Sequence, residues 1–224
     1  MAANKLCEAK WKQRTHDTHQ KHLEYLASEQ GQLSKVLLLG SSMFERFFTT
    51  GKKYNEKYFQ TTQRSVAIAG VGGDGIQHML YRIEHGLLEA CPAAMKVLVL
   101  QAGTNNCDSS SAEQVVTGVK YLVAEIKRRR PDLQVILFGL APRDSQRKKL
   151  TNESLMERIK QINQELESTP GIDTFVNIFD QYSQNGKKDS VKYEDHVHFN
   201  SRGYGIFAKA LVTAIDAKLD SDTA

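Results

Sequence analysis

Five short apolar runs recur along the chain, and each is followed by a segment with helical periodicity. The first run, Val36 to Leu39, has four branched apolar residues in succession, which predicts a strand buried on both faces. Strands that alternate with helices need crossover connections, so the pattern predicts a parallel sheet. We therefore predict an α/β fold, a three-layer α/β/α sandwich with a five-stranded parallel sheet, as one domain over residues 1–224. The predicted strands are 36–39, 65–69, 96–100, 134–138 and 174–178.

Residues 1–30 precede the first strand and are rich in charge. A sparse apolar stripe predicts a helical extension packed on the outside of the domain, with Trp11 as its anchor. Its members are Leu6, Trp11, Leu23 and Leu26. His16, His19 and His22 recur at helical spacing. Since no carboxylate or cysteine completes a metal-ligand pattern with them, we predict a solvated helix face there instead of a metal site.

Composition narrows the class of protein. The three cysteines are odd in number and far apart, which favours a reducing compartment and a cytoplasmic location. No apolar run approaches the ~18 residues of a membrane span, so we expect no stable membrane insertion. The net charge of +4 comes from scattered basic pairs and from Arg128–Arg130 before Pro131. That run lies where a helix is predicted to end, which favours cations at a helix C-terminus over a nucleic-acid site.

Chemically capable residues follow four of the predicted strands. Loops at the carboxyl ends of parallel strands meet at one edge of a sheet, where ligands bind. Ser42 is either a nucleophile or a helix cap, and Gly73, which has no Cβ, could aim a backbone N–H into the crevice. Asn105 offers a carboxamide donor or forms a turn. Asp195 precedes His198 by three residues, so one short turn can present both, with the carboxylate holding the imidazole.

As an ordered set, these residues resemble the motif blocks of the SGNH, or GDSL-like, hydrolase superfamily. Further segments are most similar to the catalytic subunits of the intracellular, brain-type platelet-activating factor acetylhydrolases. They are Gly70–Asp74 followed by His78, Leu80 and Arg82; Gly86–Glu89; Gly103–Asn106; Gly139–Arg143; and His198–Tyr204. The resemblance extends from about Trp11 to Leu211.

The resemblance implies a flavodoxin-like sheet and a serine esterase that needs no metal or organic cofactor. Ser42 would be the nucleophile, His198 the general base and Asp195 its orienting carboxylate. The oxyanion hole would consist of the backbone N–H groups of Ser42 and Gly73 and the side-chain amide of Asn105. The substrate would be a small-molecule ester with a short acyl group, acetyl in this family, and the protein would form a homodimer.

Two positions bear on how closely the chain follows that family. Ser41 stands where the family usually has Asp immediately before the nucleophile, so the hydrogen bonds of that carboxylate are lost or replaced. Asn106 stands where many superfamily members have Asp, but the acetylhydrolase subgroup itself has Asn there.

Other functions remain open at this level. The chain could be a catalytically weak or inactive homologue that serves as a binding or scaffold protein, or it could be a carbohydrate O-acetylesterase. Gly70–Gly75 fits the GxGxxG pattern of dinucleotide-binding oxidoreductases, although Gln101 ends the next strand where an acidic residue would hold a ribose. His196, His198 and Asp195 could serve a metallohydrolase. An α/β-hydrolase needs Gly-x-Ser-x-Gly, which residues 40–44 do not match.

Overall fold

The central sheet has five parallel strands in the order β2-β1-β3-β4-β5. Our computed structural model describes residues 4–147 and 150–221. The strands are β1 (Val36–Gly40), β2 (Val66–Gly70), β3 (Val97–Leu100), β4 (Gln134–Phe138) and β5 (Thr174–Val176). This order is that of flavodoxin-like sheets, and it confirms the predicted α/β sandwich.

Eight α-helices connect and cover the strands within the described residues. They are α1 (Gln13–Ala27), α2 (Glu29–Gln32), α3 (Ser42–Glu45), α4 (Lys52–Tyr54), α5 (Ile76–Glu84), α6 (Ala112–Arg129), α7 (Asn152–Leu166) and α8 (Ser201–Ser221). No helix in the described part of the chain is both long and apolar enough to cross a membrane.

The core consists of two apolar layers, one on each face of the sheet. Successive strand residues point to opposite faces, so Leu37 and Leu39 pack with α5, α6 and α7. Val36 and Leu38 pack on the other face with α8 and with Phe44. Every residue of β1 is buried, as the run of four branched residues predicts.

The arginine run lies at the end of α6, as predicted from the sequence. Each of its guanidinium groups forms an ion pair. The pairs are Arg128 with Glu125, Arg129 with Glu89 and Arg130 with Asp132, each at 2.8 Å. These positions agree with cations that stabilise a helix C-terminus.

The predictions for the N-terminal helix are wrong in two respects. Trp11 is 55% exposed, so it is not the packed anchor that the sequence predicts. The histidines do not form a solvated face, because His19 is fully buried with its Nε2 3.0 Å from the carbonyl of His85, and His16 Nδ1 lies 3.0 Å from the Tyr81 hydroxyl. Helix α1 therefore docks through a polar face, which a search for apolar stripes cannot find.

Helix α1 packs against α5 and against β2, the edge strand of the sheet. Leu26 of α1 is buried in the core layer that holds Ala67 and Ala69. Residues of α1 and of the segment after α3 line a cavity of about 570 Å³ beside this strand. All five residues of β2 line this cavity.

Two short elements lie outside the five strands predicted from the sequence. A π-helical turn, Asn55–Phe59, follows α4 and buries Phe59 beneath the sheet. A hairpin of β6 (Ser183–Gln184) and β7 (Lys187–Lys188) interrupts the polar loop after β5. Strand β5 is also shorter than predicted and ends at Val176.

Candidate active site

Ser42 is the first residue of α3, directly after the turn that ends β1. The N-cap position belongs to Ser41, whose side chain makes no capping hydrogen bond. Helix α3 lies so close to β2 that a Cβ on Gly70 would overlap the backbone nitrogen of Glu45. Phe44 stacks on Phe207 of α8 with 5.7 Å between ring centroids. Ser42 is thus held rigidly at the carboxyl edge of the sheet and is 9% exposed.

His198 and Asp195 come from the loop that leads into α8. His198 Nε2 lies 2.9 Å from Ser42 Oγ, and His198 Nδ1 lies 2.7 Å from Asp195 Oδ2. The other carboxylate oxygen accepts the backbone N–H groups of Val197 and His198, at 2.8 and 2.7 Å. Burial alone would raise the pKa of Asp195, but these hydrogen bonds outweigh it and hold the pKa well below its ordinary value.

The unpredicted hairpin supports this loop. Lys188 on β7 donates from Nζ to the carbonyl of Asp195 at 2.9 Å and pairs with Asp144 Oδ2 at 2.6 Å. The Asp144 N–H in turn donates to the carbonyl of His196 at 2.9 Å. The loop after β4 and the loop before α8 are therefore joined to each other next to Asp195.

Gly73 and Asn105 lie across the cleft from His198. Gly73 is exposed and has a φ of +76°, a conformation that favours glycine. The side-chain amide of Asn105 donates to the carbonyl of Asp74 at 2.9 Å, which leaves its second N–H for another acceptor. Ser42, Gly73, Asn105 and His198 all line one cleft of about 330 Å³. The structure thus brings the predicted residues together, with Asp195 behind His198.

Three arginines also border the cleft, and each pairs with a carboxylate on another segment. The pairs are Arg14 with Glu45 at 3.0 Å, Arg46 with Glu194 at 3.0 Å and Arg143 with Asp108 at 2.8 Å. They join the N-terminal helix and the loops after β3, β4 and β7 to the walls of the cleft.

Arg82 and Asp74 form a buried ion pair beneath the cleft. Both residues belong to the motifs quoted above, but the sequence assigns neither of them a role. Arg82 Nε lies 3.2 Å from Asp74 Oδ2, and both side chains are fully buried. Burial raises the pKa of Asp74, and the guanidinium opposes that shift. Arg82 also donates to the carbonyl of Ala69 at 2.8 Å and to that of Gly40 at 2.9 Å. The signal for this pair is an arginine on the apolar face of α5, which requires a buried acidic partner.

The metal-site alternative does not fit these contacts. Both ring nitrogens of His198 are engaged, one by Ser42 and the other by Asp195. His196 Nδ1 lies 3.8 Å from Asp195 Oδ1. Across residues 4–147 and 150–221, no group of three or more His, Cys, Asp and Glu side chains is placed to hold a metal ion.

The dinucleotide-site alternative fails at the start of α5, where a pyrophosphate would need free backbone N–H groups. The N–H of Gly75 donates to His78 Nδ1 at 3.0 Å, and the N–H of Ile76 donates to Asn106 Oδ1 at 3.0 Å. Side chains of the protein itself thus occupy both donors.

Comparison with known proteins gives both sequence and structural matches. Residues 38–206 match the GDSL-like lipase/acylhydrolase family. Subunit alpha1 of human platelet-activating factor acetylhydrolase IB is 39% identical over 95 residues, which is 42% of this chain and 38% of that relative. The aligned part thus spans well under half the length of the relative.

Among solved structures, a GDSL-like lipase from Bacteroides thetaiotaomicron superposes with a TM-score of 0.73 at 18% identity, covering 91% of this chain and 98% of that one. An acetylxylan esterase from Geobacillus stearothermophilus superposes with a TM-score of 0.57 at 14% identity, covering 81% and 94%. At these identities the structures support the fold alone. The family match covers far more than half of the chain and confirms the resemblance drawn from the motifs. This chain belongs to the GDSL-like lipase/acylhydrolase family.

Proposed function

We propose that this protein is a serine esterase that hydrolyses short-chain carboxylic esters, with acetyl as the acyl group, through an acyl-enzyme. The observation that carries the proposal is the hydrogen-bonded series from Ser42 Oγ through the His198 ring to Asp195, at 2.9 and 2.7 Å. A nucleophile, a base within reach of it and a carboxylate that orients the base are the parts of an activated serine.

In the proposed reaction, Ser42 Oγ attacks the ester carbonyl while His198 Nε2 takes the hydroxyl proton. The oxygen of the tetrahedral intermediate accepts hydrogen bonds from the N–H groups of Ser42 and Gly73 and from the Asn105 amide. His198 then gives its proton to the departing alcohol, and the acyl group stays on Ser42. Water, deprotonated by His198, attacks the acyl-enzyme, and His198 returns the proton to Ser42 Oγ as the bond to the acyl group breaks and the acid leaves. Donors aimed at the developing oxyanion supply most of the stabilisation in this type of reaction.

Hydrolysis of p-nitrophenyl acetate by Ser42→Ala tests the nucleophile, with Ser41→Ala as the matched control. Ser41 is adjacent and also buried, at 3% exposed against 9% for Ser42, but it is Ser42 whose Oγ lies 2.9 Å from His198 Nε2. We expect Ser42→Ala to fall to near the background rate and Ser41→Ala to keep most of its activity. Full activity of Ser42→Ala would overturn the proposal.

A fluorophosphonate probe separates an active enzyme from an inactive homologue that serves as a scaffold. We expect covalent labelling of the wild type that Ser42→Ala abolishes. If the wild type is neither labelled nor active on any ester, the scaffold function is favoured.

A series of substrates is needed to identify the acyl group and the alcohol of the natural ester. The name of the acetylhydrolase relative supports acetyl as the acyl group. A series of p-nitrophenyl esters from acetate to octanoate should lose kcat/KM as the acyl chain lengthens. An acetylated xylo-oligosaccharide and an acetyl-phospholipid, compared in parallel, distinguish a carbohydrate O-acetylesterase from a lipid acetylhydrolase. Cytoplasmic location and a homodimer stay predictions, and size-exclusion chromatography with light scattering tests the second.

A further inference from the structure

Helix α1 lies outside the segment that matches the family, which begins at residue 38, yet it contacts the loop that carries Gly73. Thr15 Oγ1 donates to Asp74 Oδ1 at 2.6 Å, and the two residues are 0% and 1% exposed. Lys12 Nζ donates to the carbonyl of Gly73 at 3.2 Å. Helix α1 and its N-cap residue, Lys12, therefore bond to two consecutive residues of this loop.

Asp74 is connected to each of the proposed oxyanion donors. It follows Gly73 directly, and its own carbonyl accepts the Asn105 amide at 2.9 Å. Its carboxylate meets Arg82, whose Nη2 donates to the carbonyl of Gly40, two residues before Ser42. A rotation of the Asp74 side chain would thus be transmitted to Gly73, Asn105 and the turn that carries Ser42.

We propose that Thr15 and Lys12 are positioning residues, which hold the Gly73–Asp74 loop so that the oxyanion donors keep their aim. This inference rests on the proposed esterase function. The Thr15 hydroxyl gives Oδ1 of a fully buried carboxylate its hydrogen bond, and without it that oxygen is buried with no donor. The loop would then shift to find another donor, and donors that move by a fraction of an ångström lose much of their effect on the transition state.

The test replaces Thr15 by Val, which removes the hydroxyl and keeps the shape. Thr18→Val is the matched control, because Thr18 lies one turn further along α1 and lines the cavity beside β2 instead of the cleft. Thr15→Ser restores the donor. We expect kcat on p-nitrophenyl acetate to fall by about tenfold or more in Thr15→Val with KM changed less than about twofold, since the donors act on the transition state. Thr15→Ser and Thr18→Val should stay near the wild type.

The labelling rate of Ser42 by a fluorophosphonate gives a second readout, because the phosphoryl oxygen enters the same hole. Lys12→Met gives an independent variant at a half-buried position, and we expect it to lower kcat by a few-fold. The proposal is overturned if Thr15→Val loses no more kcat than Thr18→Val, or if KM alone changes. If Thr15→Val does not fold, an unchanged kcat in Lys12→Met overturns it.

The same experiments distinguish failure of the proposed esterase function from failure of the positioning role. A wild type that is neither active nor labelled contradicts the esterase function and this inference together. An active wild type with Thr15→Val equal to its control contradicts this inference alone.

Discussion

Asp195 is held ionised by three hydrogen bonds, and this fixes the protonation of its neighbour. The carboxylate receives two backbone N–H groups and faces His198 Nδ1. Such a partner favours the tautomer with the proton on Nδ1, which leaves Nε2 free to accept the Ser42 proton. The low pKa of Asp195 means that this arrangement persists at any pH at which the base itself works.

Asp195→Asn should therefore lower kcat sharply while leaving the loop in place. The amide oxygen can still accept the backbone N–H groups of Val197 and His198, but its NH₂ group would face Nδ1 and favour the wrong tautomer. In serine proteases the equivalent change costs on the order of 10⁴ in kcat, and we expect a similar loss on p-nitrophenyl acetate. A loss below about tenfold would contradict the role assigned to the carboxylate.

Asn105→Ala tests the side-chain oxyanion donor. Loss of one such donor costs on the order of 10²–10³ in kcat, and KM should change little because the oxyanion exists only in the transition state and intermediate. The change also removes a bond to the carbonyl of Asp74, so thermal unfolding of the same variant is the control for the fold. A proportional rise in KM with kcat intact would assign Asn105 to substrate binding instead.

The proposed catalytic and oxyanion-hole residues are predictable from the sequence. The contacts that hold them in place are not. Ser42, Gly73, Asn105 and His198 follow strands that sequence patterns reveal, and parallel topology requires the ends of those strands to meet. The Thr15–Asp74 contact joins residues 59 apart, and no local pattern relates a threonine on a polar helix to a glycine-rich loop. The one sequence signal for this arrangement is Arg82, because a charge on an apolar helix face requires a buried acidic partner.

At the scale of elements, long strands and helices are predictable and short ones are not. An apolar run such as β1 is buried in any fold the chain adopts, so the sequence alone predicts it as a buried strand. The hairpin at 183–188 has two-residue strands, which are too short for an alternating apolar pattern, and its one local signal is the Asn185-Gly186 turn, where both residues have positive φ. The histidine face of α1 is not recognised from the sequence because its partners are distant in the chain: Tyr81 lies on α5, and His85 is the C-cap of that helix.

The start of α5 makes stability depend on pH. His78 Nδ1 accepts the N–H of Gly75, so the ring must be unprotonated there, and burial together with Lys12, Lys10 and Arg82 lowers the pKa of His78 to about 4. The unfolded chain takes up this proton near pH 6.5, well before the folded protein does. The contribution of His78 to the free energy of unfolding is therefore fully present above about pH 6.5. It falls by about 1.4 kcal/mol per pH unit as the pH is lowered toward 4.

His78→Gln should reduce this loss, since glutamine can fill the same capping position without titrating. We expect the difference in unfolding free energy between pH 7 and pH 5 to be smaller in the variant by about 2 kcal/mol, measured by urea unfolding. Equal pH dependence of the wild type and His78→Gln would show that His78 does not titrate in this way.

At the scale of the whole molecule, the flavodoxin-like order places β2 at one border of the sheet. The peptide groups of alternate residues in such a strand point away from β1, and here they face the cavity of about 570 Å³ beside α1. Helix α1 and the turn at Asn55–Phe59 are therefore what separates this border from its surroundings.

We therefore expect the helix that covers β2 to protect the protein against aggregation as well. An apolar border strand with free peptide groups is a template on which a second chain can add its own strand. Leu26→Asp, which puts a charge into the packed face of α1, should release the helix and cause self-association visible by light scattering at concentrations where Gln20→Asp, on the exposed face, stays monodisperse. Helix α1, which we propose holds the oxyanion donors in position, would then also prevent one molecule from adding to the edge strand of another.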